Sequence, residues 1–256
     1  MKKILCLIII MLVSAFRVYA SDIKFIQIDD LKYSPYSDES VQNFKNTIDE
    51  INKQKNLSFV IFTGNNIARS DKIHLKSFLK TANKLNVPYY VALGHKDLNK
   101  KKGLSKVEYM KIVKRLSHQK IKSPNYVFSK KGMVFIVADG AKEFIATPFG
   151  YYREDALNFV DNELTKHSKN NVVILQHFPV YPPNENEAFR TYKVEKYIQI
   201  IEAHKNVKAI ISGFGVNSEN DVNGIKYITT AAYPAYRVIE IIDCSGTNPS
   251  IWSTLK

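Results

Sequence analysis

Short apolar runs rich in Val, Ile and Phe recur along this chain, separated by segments with helical spacing, and that alternation restricts the fold more than any other feature. Residues 23–28 (Ile-Lys-Phe-Ile-Gln-Ile) and 59–62 (Phe-Val-Ile-Phe) read as buried strands, and between them Val41, Phe44, Ile48 and Ile51 repeat on one helical face. Leu75, Phe78, Leu79, Ala82 and Leu85 then mark a helix stopped by Pro88, and 89–93 reads as a third strand ending at Gly94. A lysine-rich helix is expected near 104–117, and 126–128 and 133–138 flank Ser129-Lys130-Lys131-Gly132 as a hairpin. A helix around 153–166, a strand at 172–176, a Pro-rich loop at 179–183, a helix near 189–204 and a strand at 207–211 follow. Strands at 226–230, 236–242 and 250–254 close the chain. Alternation of this kind predicts an α/β fold with a largely parallel sheet. With neither a solenoid period nor a linker, one domain is expected over residues 21–256.

Residues 1–20 stand apart from that pattern. Lys2 and Lys3 precede an apolar run from 4 to 16, and Val18-Tyr19-Ala20 suits a small-residue cleavage site before Ser21. The segment reads as a cleavable signal peptide and predicts a secreted or periplasmic protein with no transmembrane domain afterwards. The alternative is an uncleaved anchor, for which the apolar run is short. Cys6 leaves with the leader, so Cys244 has no internal disulfide partner and stability must come from packing.

The formal charge is +13, and removing Lys2, Lys3 and Arg17 leaves 34 basic against 24 acidic residues, or +10. The densest basic stretch, Lys100-Lys101-Lys102 followed by Lys106, Lys111, Lys114 and Arg115, suits a solvated helix face. No nucleic-acid-binding signature accompanies the charge, so a phosphate-bearing or other anionic ligand, or an anionic envelope, is the partner class expected. A protein partner is also compatible.

In α/β sheets chemistry collects in the loops just past the carboxyl ends of strands. Five such positions carry polar clusters or their remnants: Asp29-Asp30-Leu31-Lys32, Gly64-Asn65-Asn66, Gly94-His95-Lys96-Asp97, Gln176-His177-Phe178-Pro179 and Ser212-Gly213-Phe214-Gly215-Val216-Asn217. Taken in order over residues 23–242, they resemble the calcineurin-like metallophosphoesterase family, which carries Asp-x-His, Gly-Asp, Gly-Asn-His-Asp/Glu, a lone His and Gly-His-x-His after successive strands. The resemblance implies a four-layer α/β/β/α sandwich of two mixed sheets, with a site at one end.

It also implies a damaged site. The family's first Asp matches Asp30, but its His partner is Lys32. The metal-bridging Asp is Asn65, the Asn ligand is His95, and the catalytic His is Lys96. His177 matches the lone His ligand and Asp97 the acidic residue, while the closing His positions read Phe214 and Val216. A shift of one residue within 94–97 would instead put His95 at the catalytic His position.

A two-metal centre needs imidazole and anionic donors on both ions and a bridging carboxylate to offset their charge. Asn65 lacks that charge, and Phe214 and Val216 have no lone pair. The expectation is therefore a pseudoenzyme with no metal, in which the ammonium groups of Lys32 and Lys96 relieve repulsion between Asp30 and Asp97. His95, His177 and Asn65 would surround this ion-pair cluster. Another reading makes the old site mere core repair, with Phe214 and Val216 filling the space the metals left. The alternative is a residual phosphoesterase with one Zn or Mn ion on Asp30, His95 and His177.

Overall fold

The computed structural model describes residues 22–144, 147–181 and 191–256. The expected leader, and Pro182 and Pro183 of the expected Pro-rich loop, lie outside the described residues.

The first sheet contains β1 (Ile23–Ile28), β2 (Leu57–Phe62), β3 (Tyr89–Val91), β10 (Tyr236–Ile242) and β11 (Ser250–Leu255), in the order β11-β10-β1-β2-β3. The second contains β4 (Tyr126–Lys130), β5 (Met133–Val137), β6 (Val172–Gln176), β7 (Val207–Ser212), β8 (Ser218–Val222) and β9 (Ile225–Thr229), in the order β4-β5-β6-β7-β9-β8. β1, β2 and β3 run parallel, as do β5, β6, β7 and β9; the edge strands β4, β8 and β11 pair antiparallel, as does β10 with both β1 and β11. Both sheets are thus mixed, whereas strand–helix alternation alone predicts a largely parallel one. The antiparallel members come from hairpins and from the C-terminal run of strands, which need no crossover helix.

Side-chain parity builds the core. Phe25 and Phe59 point between the sheets and meet Phe135 of the opposite sheet at ring separations of 5.8 and 5.1 Å, and Tyr90 stacks on Phe128 at 3.6 Å. Phe62, of opposite parity, points outward and meets Phe44 of α1 (Asp38–Asn52) and Phe78 of α2 (Lys72–Ala82). α3 (Lys106–Leu116) packs beside α2. On the other flank α4 (Glu154–Lys166) and α5 (Glu195–Ala203) pack together, and Tyr197 of α5 donates to Gln176 of β6 at 2.8 Å. Helices, sheet, sheet and helices form the four-layer sandwich.

Local chemistry fixes the element ends. Ser37, Asp71 and Ser105 cap α1, α2 and α3 with side-chain oxygens, Ser105 in a reciprocal box with Glu108. The Lys131-Gly132 and Asn223-Gly224 turns both hold left-handed pairs of residues, the geometry that matches the twist of a tight hairpin. α5 begins at Glu195, shorter than the helix expected near 189–204; Thr191 bridges to Gly150, and Tyr192 and Lys193 form a turn. Among the described residues no helix is long and apolar enough to cross a membrane.

Parallel register sets where chemistry can gather. Ile28 pairs with Phe62 and Phe62 with Val91, while Gln176 pairs with Ser212, so the loops after β1, β2, β3, β6 and β7 emerge at one end. Because Phe59 bridges the sheets, Phe59→Ala should destabilise the protein by about 3–5 kcal/mol. Chemical unfolding of the purified protein checks this, with the exposed Trp252→Ala as a mild reference.

Candidate functional site

The parity that aims Phe25 and Gln27 between the sheets carries on to Asp29 just past β1, and the same rule brings Thr63 from β2 and His177 from β6 to meet it. Asp29 is fully buried. One of its oxygens accepts from Thr63 Oγ1 at 2.9 Å and lies 3.2 Å from His177 Nδ1; the other accepts from the backbone N–H of Phe214 at 2.7 Å. Burial pushes its carboxyl above the usual range, and His177 pulls it back down. Two glycines make room for the meeting. A Cβ on Gly213 would run into the Asp29 carboxylate, and one on Gly64, which sits at φ +129°, would lie 2.6 Å from His177 Nδ1.

One residue on, Asp30 faces the mouth of the site. Lys32 Nζ lies 2.7 Å from its Oδ2, and Asn65 Nδ2 donates to its Oδ1 at 2.5 Å, so both oxygens are engaged. Three backbone bonds, Asp30 N to Gly64 O, Lys32 N to Asn65 O and Tyr33 N to Asn66 O, hold the two loops side by side. Asp30, Lys32 and Asn65 all adopt left-handed backbone angles, φ 54°, 47° and 50°, a strain maintained only by the surrounding contacts. Burial raises the Asp30 carboxyl, but the hydrogen bonds from Lys32 and Asn65, with the field of His177, outweigh it and hold the group below the usual carboxylate range.

Asn65 is the hub. Its amide nitrogen also lies 3.4 Å from His95 Nδ1, and its oxygen accepts from the Lys96 N–H at 2.8 Å. His95 is buried, and burial followed by the field of His177 lowers its pKa to about 4, leaving it neutral at pH 7. The Phe214 ring lies 4.9 Å from His95, 5.0 Å from His177 and 5.6 Å from Phe178, closing an aromatic wall around both imidazoles.

Two expected members lie elsewhere. Lys96 is exposed and makes no ion pair among the described residues, because the tight turn spends its backbone on Asn65 and alternates His95 and Asp97 inward, leaving residue 96 outward. Asp97 is buried and needs no ammonium. It accepts from the backbone N–H groups of Asn66, Ile67 and Gly94 at 2.8, 3.2 and 2.9 Å. Burial pushes its carboxyl up to about 7 against the pull of those donors. Val216 is 71% exposed and fills no space in the site; Phe214 alone reaches the imidazoles.

The family model for calcineurin-like phosphoesterases matches residues 21–213. The chain belongs to that family. No curated protein sequence matches it significantly. Among solved structures it is similar to a dimetal phosphatase from Danio rerio (14% identity, TM-score 0.66, covering 90% of this chain and 98% of that one). It is also similar to GAP50, the anchor in the inner membrane complex of Plasmodium (13%, 0.60, 91% and 88%), and to TT1561 of Thermus thermophilus (11%, 0.61, 91% and 99%). At these identities the likeness concerns the fold.

The donors of this calcineurin-like phosphoesterase do not fit a two-metal centre. Both Asp30 oxygens are taken, Asn65 offers an amide in place of a carboxylate charge, and the Phe214 ring, which has no lone pair, stands against His177. Among the described residues, no three His, Cys, Asp or Glu side chains converge to hold one ion. One atom runs against this. With Asp29 ionised, His177 donates from Nδ1, which leaves its buried Nε2 without a hydrogen-bond partner.

Reasoning from the sequence overlooks Asp29 and Asn66. The available signal was the pair of carboxylates straight after a buried strand, of which parity sends only the first inward. Asn66 Nδ2 donates to Ala92 O, Tyr109 Oη and Asp97 Oδ2 behind the site.

Asp29→Ala should cost about 3–5 kcal/mol by stranding His177 and the Phe214 N–H, whereas Lys96→Ala should stay within about 0.5 kcal/mol; denaturant titration checks both. A second expectation concerns pH. Because the folded-state pKa of Asp30 lies below its ordinary 3.8, its stabilisation is present above that value and is lost as pH falls through the lower one. Lys32→Met should therefore flatten the acid limb of the stability profile, measured by thermal unfolding from neutral pH into acid.

Proposed function

We propose that this calcineurin-like phosphoesterase is an exported pseudoenzyme that uses the former catalytic end to bind an anionic ligand or a protein partner. The observation that carries the reading is the Lys32 ammonium 2.7 Å from Asp30, with the Asn65 amide on the other oxygen. A tethered cation and an amide take up the carboxylate that a divalent ion would need. Without a metal-activated water there is no nucleophile for a phosphoester, and neutral His95 supplies no charge to a leaving group. The exposed ammonium of Lys96, with no ion pair among the described residues, remains available at the rim to an anionic group. The apolar run after Lys2 and Lys3 supports export. GAP50, described as an anchor, supports a non-catalytic use of the same architecture.

The unpartnered His177 Nε2 favours a second reading, a residual phosphoesterase with one Zn or Mn ion held by His177, His95 and Asp30. It would require Lys32 to leave Asp30.

Metal analysis of protein purified without chelator, paired with hydrolysis of a bis-aryl phosphate ester with and without Mn²⁺ or Zn²⁺, separates the two. The pseudoenzyme should carry well under one ion per chain and show no metal-dependent turnover. Stoichiometric metal with turnover abolished by His177→Ala would establish the residual hydrolase instead.

A further inference from the structure

The outer faces of α2 and α3 have an unusual composition. Their exposed residues are Lys72, Ile73, Lys76 and Lys80 on α2, and Val107, Lys111, Lys114 and Arg115 on α3. Every one is a cation or an aliphatic. The two helices flank a groove of about 610 Å³ in which Glu108 is the single carboxylate, and it is engaged by Lys72 at 3.7 Å and by the capping bonds to Ser105. Ile73 and Val107, 58% and 77% exposed, stand among the cations.

Six like charges on two neighbouring helices repel one another, and the single Glu108 is too few to turn the array into a solvated ion-pair face. The apolar stripes of both helices are already spent on the core, through Leu75, Phe78 and Leu79 on one and Tyr109, Ile112 and Val113 on the other. The outward face therefore has no packing role that would account for its aliphatics.

We propose that this face docks on an anionic phospholipid surface, the helices lying flat with Ile73 and Val107 entering the headgroup layer between lysines that meet lipid phosphates. Lysine and arginine near a negatively charged bilayer attract it over roughly one Debye length, and exposed aliphatics add contact that only an apolar interior rewards. A nucleic acid is the poorer fit. The exposed residues of the two helices include no aromatic ring for a base to stack on and no amide or hydroxyl to read a base edge, and aliphatics gain nothing against a phosphate backbone. The face is formed by side chains separate from Asp30 and its partners, so the inference stands or falls apart from the function proposed above.

The test is co-sedimentation of the full chain with vesicles of neutral phosphatidylcholine alone, or with about a third phosphatidylglycerol, at low and high salt. Binding to neutral vesicles reports the apolar N-terminal run, and the excess on anionic vesicles reports the helical face. That excess should be at least about tenfold, fall steeply with salt, and disappear in Lys76→Glu/Lys111→Glu/Lys114→Glu. Ile73→Ser/Val107→Ser, which keeps the charge, should lower it a further few-fold below wild type. All of these positions are exposed, and unchanged thermal unfolding of each variant confirms folding. Equal binding to both vesicle types would overturn the proposal. So would an anionic excess that survives charge reversal, or retention by duplex DNA that exceeds vesicle binding and ignores the aliphatic changes.

Discussion

One buried carboxylate ties the two sheets together at the end where the loops converge. Asp29 leaves β1 of the first sheet and receives Thr63 from β2, then His177 and the Phe214 N–H from the second sheet. Its own carbonyl accepts from Tyr233. Behind it Gln27 repeats the crossing, donating to Thr63 and to Ser212 O and accepting from Thr230. A sandwich held by phenyl rings alone would tolerate sliding of one sheet over the other, since dispersion has little directional preference. Buried hydrogen bonds to charged or amide groups have fixed geometry, and a misregistered sheet would leave them unpaired at a cost of about 1–3 kcal/mol each. The polar seam therefore sets the register within which the loops can carry anything else.

With the seam in place, the neighbouring carboxylates are compensated one by one. Asp97 is satisfied by backbone N–H groups, Asp29 by an imidazole and an N–H, and Asp30 by a lysine and an amide. No two of them share a donor. That is the reverse of a two-metal arrangement, where bridging and shared ligands pool charge around a common pair of ions. The left-handed backbone at Asp30, Lys32 and Asn65 shows that the loop shape is kept at some conformational cost. An ion pair tethered within three residues also loses less entropy on forming than one between distant side chains.

The strand ends and the five polar loops could be read from the chain, because buried strands and amphipathic helices follow periodicities that burial imposes on sequence. β8 could not be read that way. Its residues, Ser-Glu-Asn-Asp-Val, form an exposed edge strand whose charges guard against edge pairing, and only the Asn223-Gly224 turn marks it. At the site, the sequence offered Lys32 and Lys96 together as cations for Asp30 and Asp97, but side-chain direction in a tight turn could not be read from it. Position 96 looks equivalent to position 32 as text. Its neighbours His95 and Asp97 both turn inward, and that forces Lys96 outward. Sequence spacing gives the ingredients of an ion pair; the local backbone decides which ammonium completes it.

The charge at the site and the charge on the helical layer differ in their reach. Charge already neutralised within a few ångströms exerts little field on a passing molecule, so the ion pair at Asp30 contributes geometry more than attraction. The densest cations, by comparison, lie on the outer faces of α2 and α3, where exposure and proximity let their fields add. At the mouth the charges of Asp30 and Lys32 cancel and Lys96 stands apart at the rim, while the denser array of cations lies on the helical layer. By fixing the register of the sheet on which α2 packs, the polar seam also fixes the place of that cationic array relative to the loops.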